Sequence, residues 1–402
     1  MSVNPKTKPV AKKSLPPKTS PAVKRGVTKK KPLSAQVRIS LKPEAKRVAA
    51  LRKLMEKHDV PALLLQSAAN RRYFSGFTAA DSQINESSGC LLITQEDSFL
   101  LTDSRFELSA KLEALTFETH IYREGPHVTL QTIFNGKRLF FEPEFMTYRL
   151  LANLRATLPN VNFLPLPFSP AELRIIKTNN ELHLIQKAVE ITEKSLGLLW
   201  NELEPGIPEE WIARFLDDHF RKFGAEGSAF PSIVAAGPNA ALPHAEPGKK
   251  KVGKSEMVVI DIGARFNGYA SDMTRTFMPK KPMGWQKEIY MVVREAQLRA
   301  LSVLKAGVTG SEVDLAARDF IRKKGYGDYF QHQLGHGVGL EVHESPHLGP
   351  RHNKVPLPAG ALVTVEPGIY LPGKGGVRLE ELVLITETGN SILNKDSHFY
   401  EF

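Results

Sequence analysis

The stretch Met257–Phe277, MVVIDIGARFNGYASDMTRTF, is an apolar run, a turn containing Asn267-Gly268, and a returning run. A hairpin is the natural assignment. Asp261 and Asp272 sit on opposite sides of that turn at roughly matching distances. Cross-strand neighbours on one face have Cβ atoms about 4.5–5.5 Å apart, where like charges destabilise a sheet. Val258, Val259 and Ile260 mark the first strand for burial, so two carboxylates cost still more there.

Leu362–Ile385 repeats the device, which hints at an internal duplication. Glu366 ends an apolar strand, Gly373, Gly375 and Gly376 mark the turn, and Glu380 lies on the return strand. One such pair reads equally well as two unrelated acids on a solvated edge. Two pairs on apolar strands need counter-charge, and a metal supplies it most compactly. Between the hairpins runs HQLGHGVGLEVHE, His332 to Glu344, with His336 set among glycines as in a loop pressed close to a site. Four carboxylates alone favour Mg²⁺ or Ca²⁺; one added histidine moves the set toward Mn²⁺, Co²⁺, Zn²⁺ or Fe²⁺. His332 and His343 each read as a residue behind the ligands or as one facing a substrate. His244, in PHAEP, is by itself an isolated loop histidine.

Every candidate site residue falls in the second half of the chain. A length of 402 residues exceeds one ordinary core, so two domains are expected. Helical spacing follows Pro43 as far as Asp59. Short strands at Ala62–Leu65, Cys90–Thr94, Phe99–Thr102, His120–Tyr122 and Leu139–Phe141, with a helix at Arg105–Leu115, suggest an α/β domain to residue 168. Long helices are expected at Asn180–Leu203 and Pro208–Phe223, and further ones near Trp285–Leu304 and Ser311–Lys324. No run approaches the roughly 18 apolar residues of a membrane span. The single cysteine, Cys90, has no internal disulfide partner, which favours a reducing compartment, and the expected location is the cytoplasm.

The net charge of +11 suggests nucleic acid until it is located. Residues 1–34 hold ten Lys or Arg and no acid, leaving 44 basic and 43 acidic side chains elsewhere. With six prolines and no aromatic residue, residues 1–35 read as a disordered basic tail. It is expected to be a solubilising arm, with a weak, salt-sensitive contact to nucleic acid or anionic lipid as the sharper alternative.

These motifs together resemble the pita-bread metallopeptidases, in the proline-specific branch of aminopeptidase P and prolidase. The likeness covers Leu173 to the C-terminus, while Asn70–Phe77 (NRRYFSGF) and Thr102–Arg105 (TDSR) resemble the creatinase-type domain of that branch. It implies an α/β creatinase-like domain over 36–168 and an α+β pita-bread catalytic domain over 169–402. It also implies two divalent metal ions, with Mn²⁺ ahead of Co²⁺ or Zn²⁺. Asp272 and Glu380 would bridge them, Asp261 would complete one site, and His336 with Glu366 the other. Glu366 would also shuttle a proton to the leaving proline nitrogen. His343 and His244 resemble residues that hydrogen-bond the substrate carbonyl and the developing oxyanion, and His332 a substrate-pocket residue. Tyr370 and Arg378 match positions in that pocket and behind the ligands.

The leading expectation is an Xaa-Pro aminopeptidase acting on peptides with proline in second position, as a homodimer. The alternative is an Xaa-Pro dipeptidase, or prolidase. Methionine aminopeptidase ranks lower for want of a creatinase-type domain, and creatinase because it works without metal ligands. A non-catalytic binding protein on the same fold is the more distant alternative, and intact ligands weigh against it.

Overall fold

The structure, a computed structural model, describes residues 42–81, 83 and 86–402, so the basic segment 1–35 lies outside the described residues. Helix α1 (Pro43–Lys57) begins at a proline, whose missing N–H is unneeded in a first turn. It is followed by β1 (Ala62–Leu65), α2 (Ala68–Ser75), β2 (Cys90–Thr94), β3 (Ser98–Asp103), α3 (Glu107–Glu113), β4 (Glu118–Tyr122), α4 (Pro126–Ile133), β5 (Arg138–Phe141), α5 (Tyr148–Thr157) and β6 (Asn162–Pro165). The strands form one mixed sheet in the order β4-β3-β2-β1-β5-β6. Its central strand is buried on both faces. Leu63 and Leu65 pack with Leu51, Met55 and Phe74, and Leu64 packs with Leu130 and Leu154 from the opposite helix layer. Helices α2, α4 and α5 and strand β6 were not foreseen, because their apolar residues are sparse and they are shorter than the windows that reveal a period. The helix expected over Arg105–Leu115 is a 3₁₀ turn, Ser104–Phe106, followed by the shorter α3.

The second half opens with α6 (Asn179–Glu202), started by a capping box in which Thr178 and Glu181 exchange hydrogen bonds. Glu181 also accepts from Tyr269 Oη at 3.0 Å and lies 3.4 Å from Arg47, tying the helix start to both halves of the chain. There follow α7 (Glu209–Lys222), β7 (Gly227–Ser228), β8 (Ile233–Ala236), β9 (Val258–Ile262), β10 (Ala264–Phe266), β11 (Tyr269–Ala270), β12 (Met273–Phe277), α8 (Gly284–Val303) and α9 (Gly310–Lys323). The chain ends with β13 (Gly335–Gly337), β14 (Glu344–Leu348), β15 (Leu362–Val365), β16 (Gly368–Leu371), β17 (Gly375–Arg378), β18 (Glu381–Ile385) and β19 (Asn390–Ile392). Two layers mirror each other. Helices α6 and α7 cover β8, β9 and β12 through Leu199, Leu216 and Phe220, while α8 and α9 cover β15, β17 and β18 through Val293, Val313 and Ile321.

Both hairpins read from the sequence are present, with a shared refinement. Asn267 and Gly268 adopt φ of 45° and 78°, the left-handed pair of a two-residue hairpin turn. Register is kept from Phe266↔Tyr269 to Ile262↔Met273, but the ladder splits between two sheets at Gly263 and Asp272. Asp261 therefore stands opposite Thr274, and Asp272 is its diagonal neighbour on the same face rather than its direct partner. The second hairpin splits likewise. Val365 pairs with Glu381 and Gly368 with Arg378, a register that sets Glu366 opposite Glu380 at the break. The two hairpins are joined where Glu380 N donates to Thr274 O at 3.1 Å and Thr276 Oγ1 to Arg378 O at 2.8 Å.

The split of the first hairpin depends on a close approach. A Cβ on Gly263 would lie 1.9 Å from the Ser271 carbonyl oxygen and 2.8 Å from the Phe230 ring. Gly263→Ala must push apart the strands beside Asp272, and a loss of about 1–3 kcal/mol of stability is expected from such overpacking. Thermal unfolding measures it, and an unchanged melting temperature would contradict this register.

Candidate metal centre

The four acids converge at the two ladder breaks, and His336 reaches them from β13. One ligand atom each from Asp272, His336 and Glu380 lie within 4.8 Å of one another, and all three residues are buried. His336 Nε2 is 3.2 Å from Glu366 Oε1 and 3.7 Å from Asp272 Oδ2. Its Nδ1 lies 3.1 Å from the Gly337 carbonyl, which can only accept, so Nδ1 carries a proton; burial lowers the ring's pKa, but Glu366 beside Nε2 outweighs it and the pKa is raised. His336 was expected in a loop. It sits instead on a short strand, where a bulge between His336 and Gly337 aims the ring.

Arg378 holds the far side. Its Nη2 donates to Asp261 Oδ2 at 2.6 Å, Nη1 to Tyr370 Oη at 2.9 Å, and Nε to Thr274 Oγ1 at 3.2 Å. The Thr274 hydroxyl donates in turn to Glu380 Oε2 at 2.7 Å. His332 Nδ1 gives its proton to the Gln333 carbonyl at 2.7 Å, so Nε2 accepts from Tyr370 Oη at 2.9 Å. The protonation states agree: burial lowers the His332 pKa and pushes the Tyr370 hydroxyl up to about 12. Asp261, Asp272, Glu366 and Glu380 line a cavity of about 520 Å³ together with His244, His332, His336, His343, Tyr370 and Arg378. His343 turns its ring edge-on to His336 with centroids 4.3 Å apart. His244 and His343 form no hydrogen bond among the described residues and face the opening.

Residues 183–387 match Metallopeptidase family M24, and residues 47–176 match the Creatinase/Prolidase N-terminal domain. The chain is 35% identical over 355 residues to the Xaa-Pro dipeptidase of Pyrococcus furiosus, covering 87% of this chain and 97% of that protein. The structure of an Xaa-Pro dipeptidase from Bacillus anthracis superposes with a TM-score of 0.83 at 34% identity, over 88% of this chain and 98% of that one. An X-Pro aminopeptidase from Thermotoga maritima gives 0.79 at 37% identity, over the same shares of 88% and 98%.

The chain belongs to metallopeptidase family M24.

It is a metalloexopeptidase, with a creatinase-type N-terminal domain ahead of a pita-bread catalytic domain. The M24 centre is short of positive charge as it stands. Four carboxylates face one guanidinium and one imidazole, and like charges about 5 Å apart cost roughly 3 kcal/mol per pair at an effective dielectric constant of 20. Burial, and then Glu380, Asp261 and Glu366, push the Asp272 pKa up; burial, Glu366 and Asp261 do the same to Glu380. Burial also raises Asp261, against the pull of Arg378. Glu366 departs from the pattern: burial raises it, but its hydrogen bond with His336 and the charges of His336, His332 and Arg378 hold it at about 2. Asp261 Oδ1 and Glu380 Oε1 are buried without a hydrogen-bond partner among the described residues. Orphaned carboxylate oxygens beside a lone imidazole nitrogen fit a pair of divalent cations.

Three side chains escaped the sequence reading. Thr274 lies two residues after Asp272, and Thr364 two before Glu366, so strand alternation puts each hydroxyl on the face of the acids. Thr364 Oγ1 donates to Glu366 Oε1 and accepts from His336 N, both at 3.1 Å. Arg275 points to the opposite face, where Nη1 donates to the carbonyls of Thr274 (3.1 Å) and Glu380 (2.7 Å) and braces both strands from behind.

Raised carboxylate pKa values fix a sign. A group whose pKa is higher folded than unfolded contributes stability below its unfolded value, and that contribution is lost as pH rises toward the folded one. The metal-free fold therefore weakens as pH climbs out of the ordinary carboxylate range, while metal needs the same groups ionised. The rise in melting temperature on adding Mn²⁺ should grow with pH between 5 and 8 (in steps of about one unit); calorimetry with and without Mn²⁺ checks it, and a constant or shrinking rise would contradict it.

Proposed function

We propose that the chain is an Xaa-Pro dipeptidase, a prolidase, hydrolysing the bond before a terminal proline. The observation that carries the reading is the cluster of acids and His336, with its orphaned carboxylate oxygens, in the wall of a cavity that His244 and His343 also line. The dipeptidase reading passes ahead of the aminopeptidase one, which the sequence put first, because the Pyrococcus furiosus and Bacillus anthracis relatives carry the dipeptidase name. The aminopeptidase reading keeps the support of the Thermotoga maritima structure.

In this reading Asp272, Glu380, Asp261, His336 and Glu366 would hold the two metal ions, with Asp272 and Glu380 shared between them. Mn²⁺ is first among Mn²⁺, Co²⁺ and Zn²⁺ for four carboxylates and one imidazole. When bound, the ions supply Lewis acidity to the scissile carbonyl and to a water molecule. Glu366 would take a proton from a water molecule as the water oxygen bonds to the scissile carbonyl carbon, and would pass that proton to the proline nitrogen as the C–N bond breaks. Burial, then the neighbouring His336, lowers the His343 pKa, so its imidazole is neutral at pH 7 and donates an N–H to the carbonyl oxygen as charge develops there. His244, which lines the same cavity, would hydrogen-bond the same oxyanion. His332, Tyr370 and Arg378 form a hydrogen-bonded wall that fixes the proline end and the Asp261 carboxylate.

The test compares Ala-Pro with Ala-Pro-Ala on the Mn²⁺-loaded protein. At least a tenfold higher kcat/KM on the dipeptide is expected. A preference for the tripeptide would return the aminopeptidase reading to first place, and hydrolysis of neither would end both.

A further inference from the structure

Behind the catalytic cavity lies a buried charged cluster that the proposed chemistry does not use. Glu344, next to His343 in the chain, receives Lys177 Nζ on Oε1 at 2.7 Å and has Arg174 Nη2 3.3 Å from Oε2. All three residues are buried. Arg174 and Lys177 belong to the segment that joins the two halves of the chain, just before α6. Lys177 Nζ also donates to the Arg174 carbonyl at 2.6 Å. Arg174 pairs with Glu341 as well, and its Nη1 donates to Asn70 Oδ1 at 2.5 Å. Asn70 Nδ2 donates at 2.5 Å to Glu142, whose other oxygen accepts the backbone N–H groups of Gln66 and Ser67 at 2.5 and 2.9 Å. Hydrogen bonds thus run unbroken from the sheet of the N-terminal half to the residue beside His343.

The cluster is poorly explained as a device for stability. Desolvating several charges offsets most of their attraction, and apolar replacements of such pairs are often neutral or better. His343 has a need that the cluster meets. Its ring touches His336 edge-on and forms no hydrogen bond among the described residues, so its aim is set by its backbone. That backbone is fixed at Glu344, which opens β14 and pairs with Gly337 across the bulge of β13. The Glu344 carboxylate presses into the turn before it, so closely that a Cβ on Gly339 would lie 2.4 Å from Oε1.

We propose that Glu344, clamped by Lys177 and Arg174, is a positioning residue that aims His343 at the substrate carbonyl and so couples the N-terminal domain to the hydrolytic step. The inference rests on the role given to His343 above. A clamp of this kind acts on the chemical step and leaves metal and substrate binding in place, since a side chain misplaced by about 1 Å can cost on the order of 10²-fold in rate.

The test is a double-mutant cycle on the Mn²⁺-loaded full chain with Ala-Pro as substrate. Lys177→Met should lower kcat about 10- to 100-fold while KM and bound Mn²⁺ stay at wild-type levels, and Lys177→Arg should restore most of the rate. In a His343→Ala background, Lys177→Met should cost nothing further. Losses that multiply, or a Lys177→Met variant with unaltered kcat, overturn the proposal. If His343→Ala alone leaves kcat unchanged, the role assigned to His343 fails instead, and the two failures are told apart. Should Lys177→Met not fold, Lys177→Met/Glu344→Gln, which removes both partners of the pair, takes its place in the cycle. Failure of that variant to fold as well makes the cluster a stability element and overturns the proposal.

Discussion

Four carboxylates held together by two facing hairpins are the constraint on which the catalytic half is built. Their mutual repulsion, worth several kcal/mol in a buried site, opposes the fold that assembles them. Each feature around them answers that repulsion. Arg378 neutralises Asp261, Thr274 and Thr364 supply hydroxyl protons to Glu380 and Glu366, and His336 brings a nitrogen between Asp272 and Glu366. What remains uncompensated is negative charge, which a pair of divalent ions would neutralise.

The architecture explains how the chain bears this cost. Each hairpin is backed by two helices whose apolar faces bury its outer side, and the two hairpins face each other across the acids. The ladders break at Asp272 and between Glu366 and Glu380, while Asp261 stays paired with Thr274 and Ile233. Arg275 braces Thr274 and Glu380 from behind with bonds to their carbonyls, while Asp396 and Glu381 hold Arg275 in turn. The N-terminal half is part of the same construction. Its core runs on through Ile185, Val189 and Tyr269 of the catalytic half, and its Glu142–Asn70 pair extends through Arg174 to the edge of the active site.

The parts that were legible in the sequence are those that local chemistry dictates. Asn267-Gly268 announced a hairpin, acids on apolar strands announced a need for cations, and Thr178 with Glu181 opens the long helix within a residue of where periodicity put it. The likeness to a known family supplied His244, which no local pattern singles out. Three things were not legible, each set by tertiary contacts. The break beside Asp272 depends on the close approach of Gly263 to Ser271, although the diagonal placing itself follows from the register of the two-residue turn. The bulge that aims His336 depends on β14. The clamp on Glu344 spans 167 residues of sequence to Lys177, and no local window contains both ends. The order of dipeptidase and aminopeptidase was reversed by the names that relatives carry, because the five proposed metal ligands serve either reading.

In the proposed metal centre Asp272 and Glu380 would each serve two metal ions at once. Metal analysis of the Mn²⁺-reconstituted protein and its Asp272→Asn and Glu380→Gln variants, after gel filtration, tests it most directly. The account predicts about two Mn²⁺ per wild-type chain and the weakening of both sites together in either variant, each variant retaining less than one ion. A wild-type chain that binds a single ion, or a variant that loses one and keeps the other at full occupancy, would contradict it.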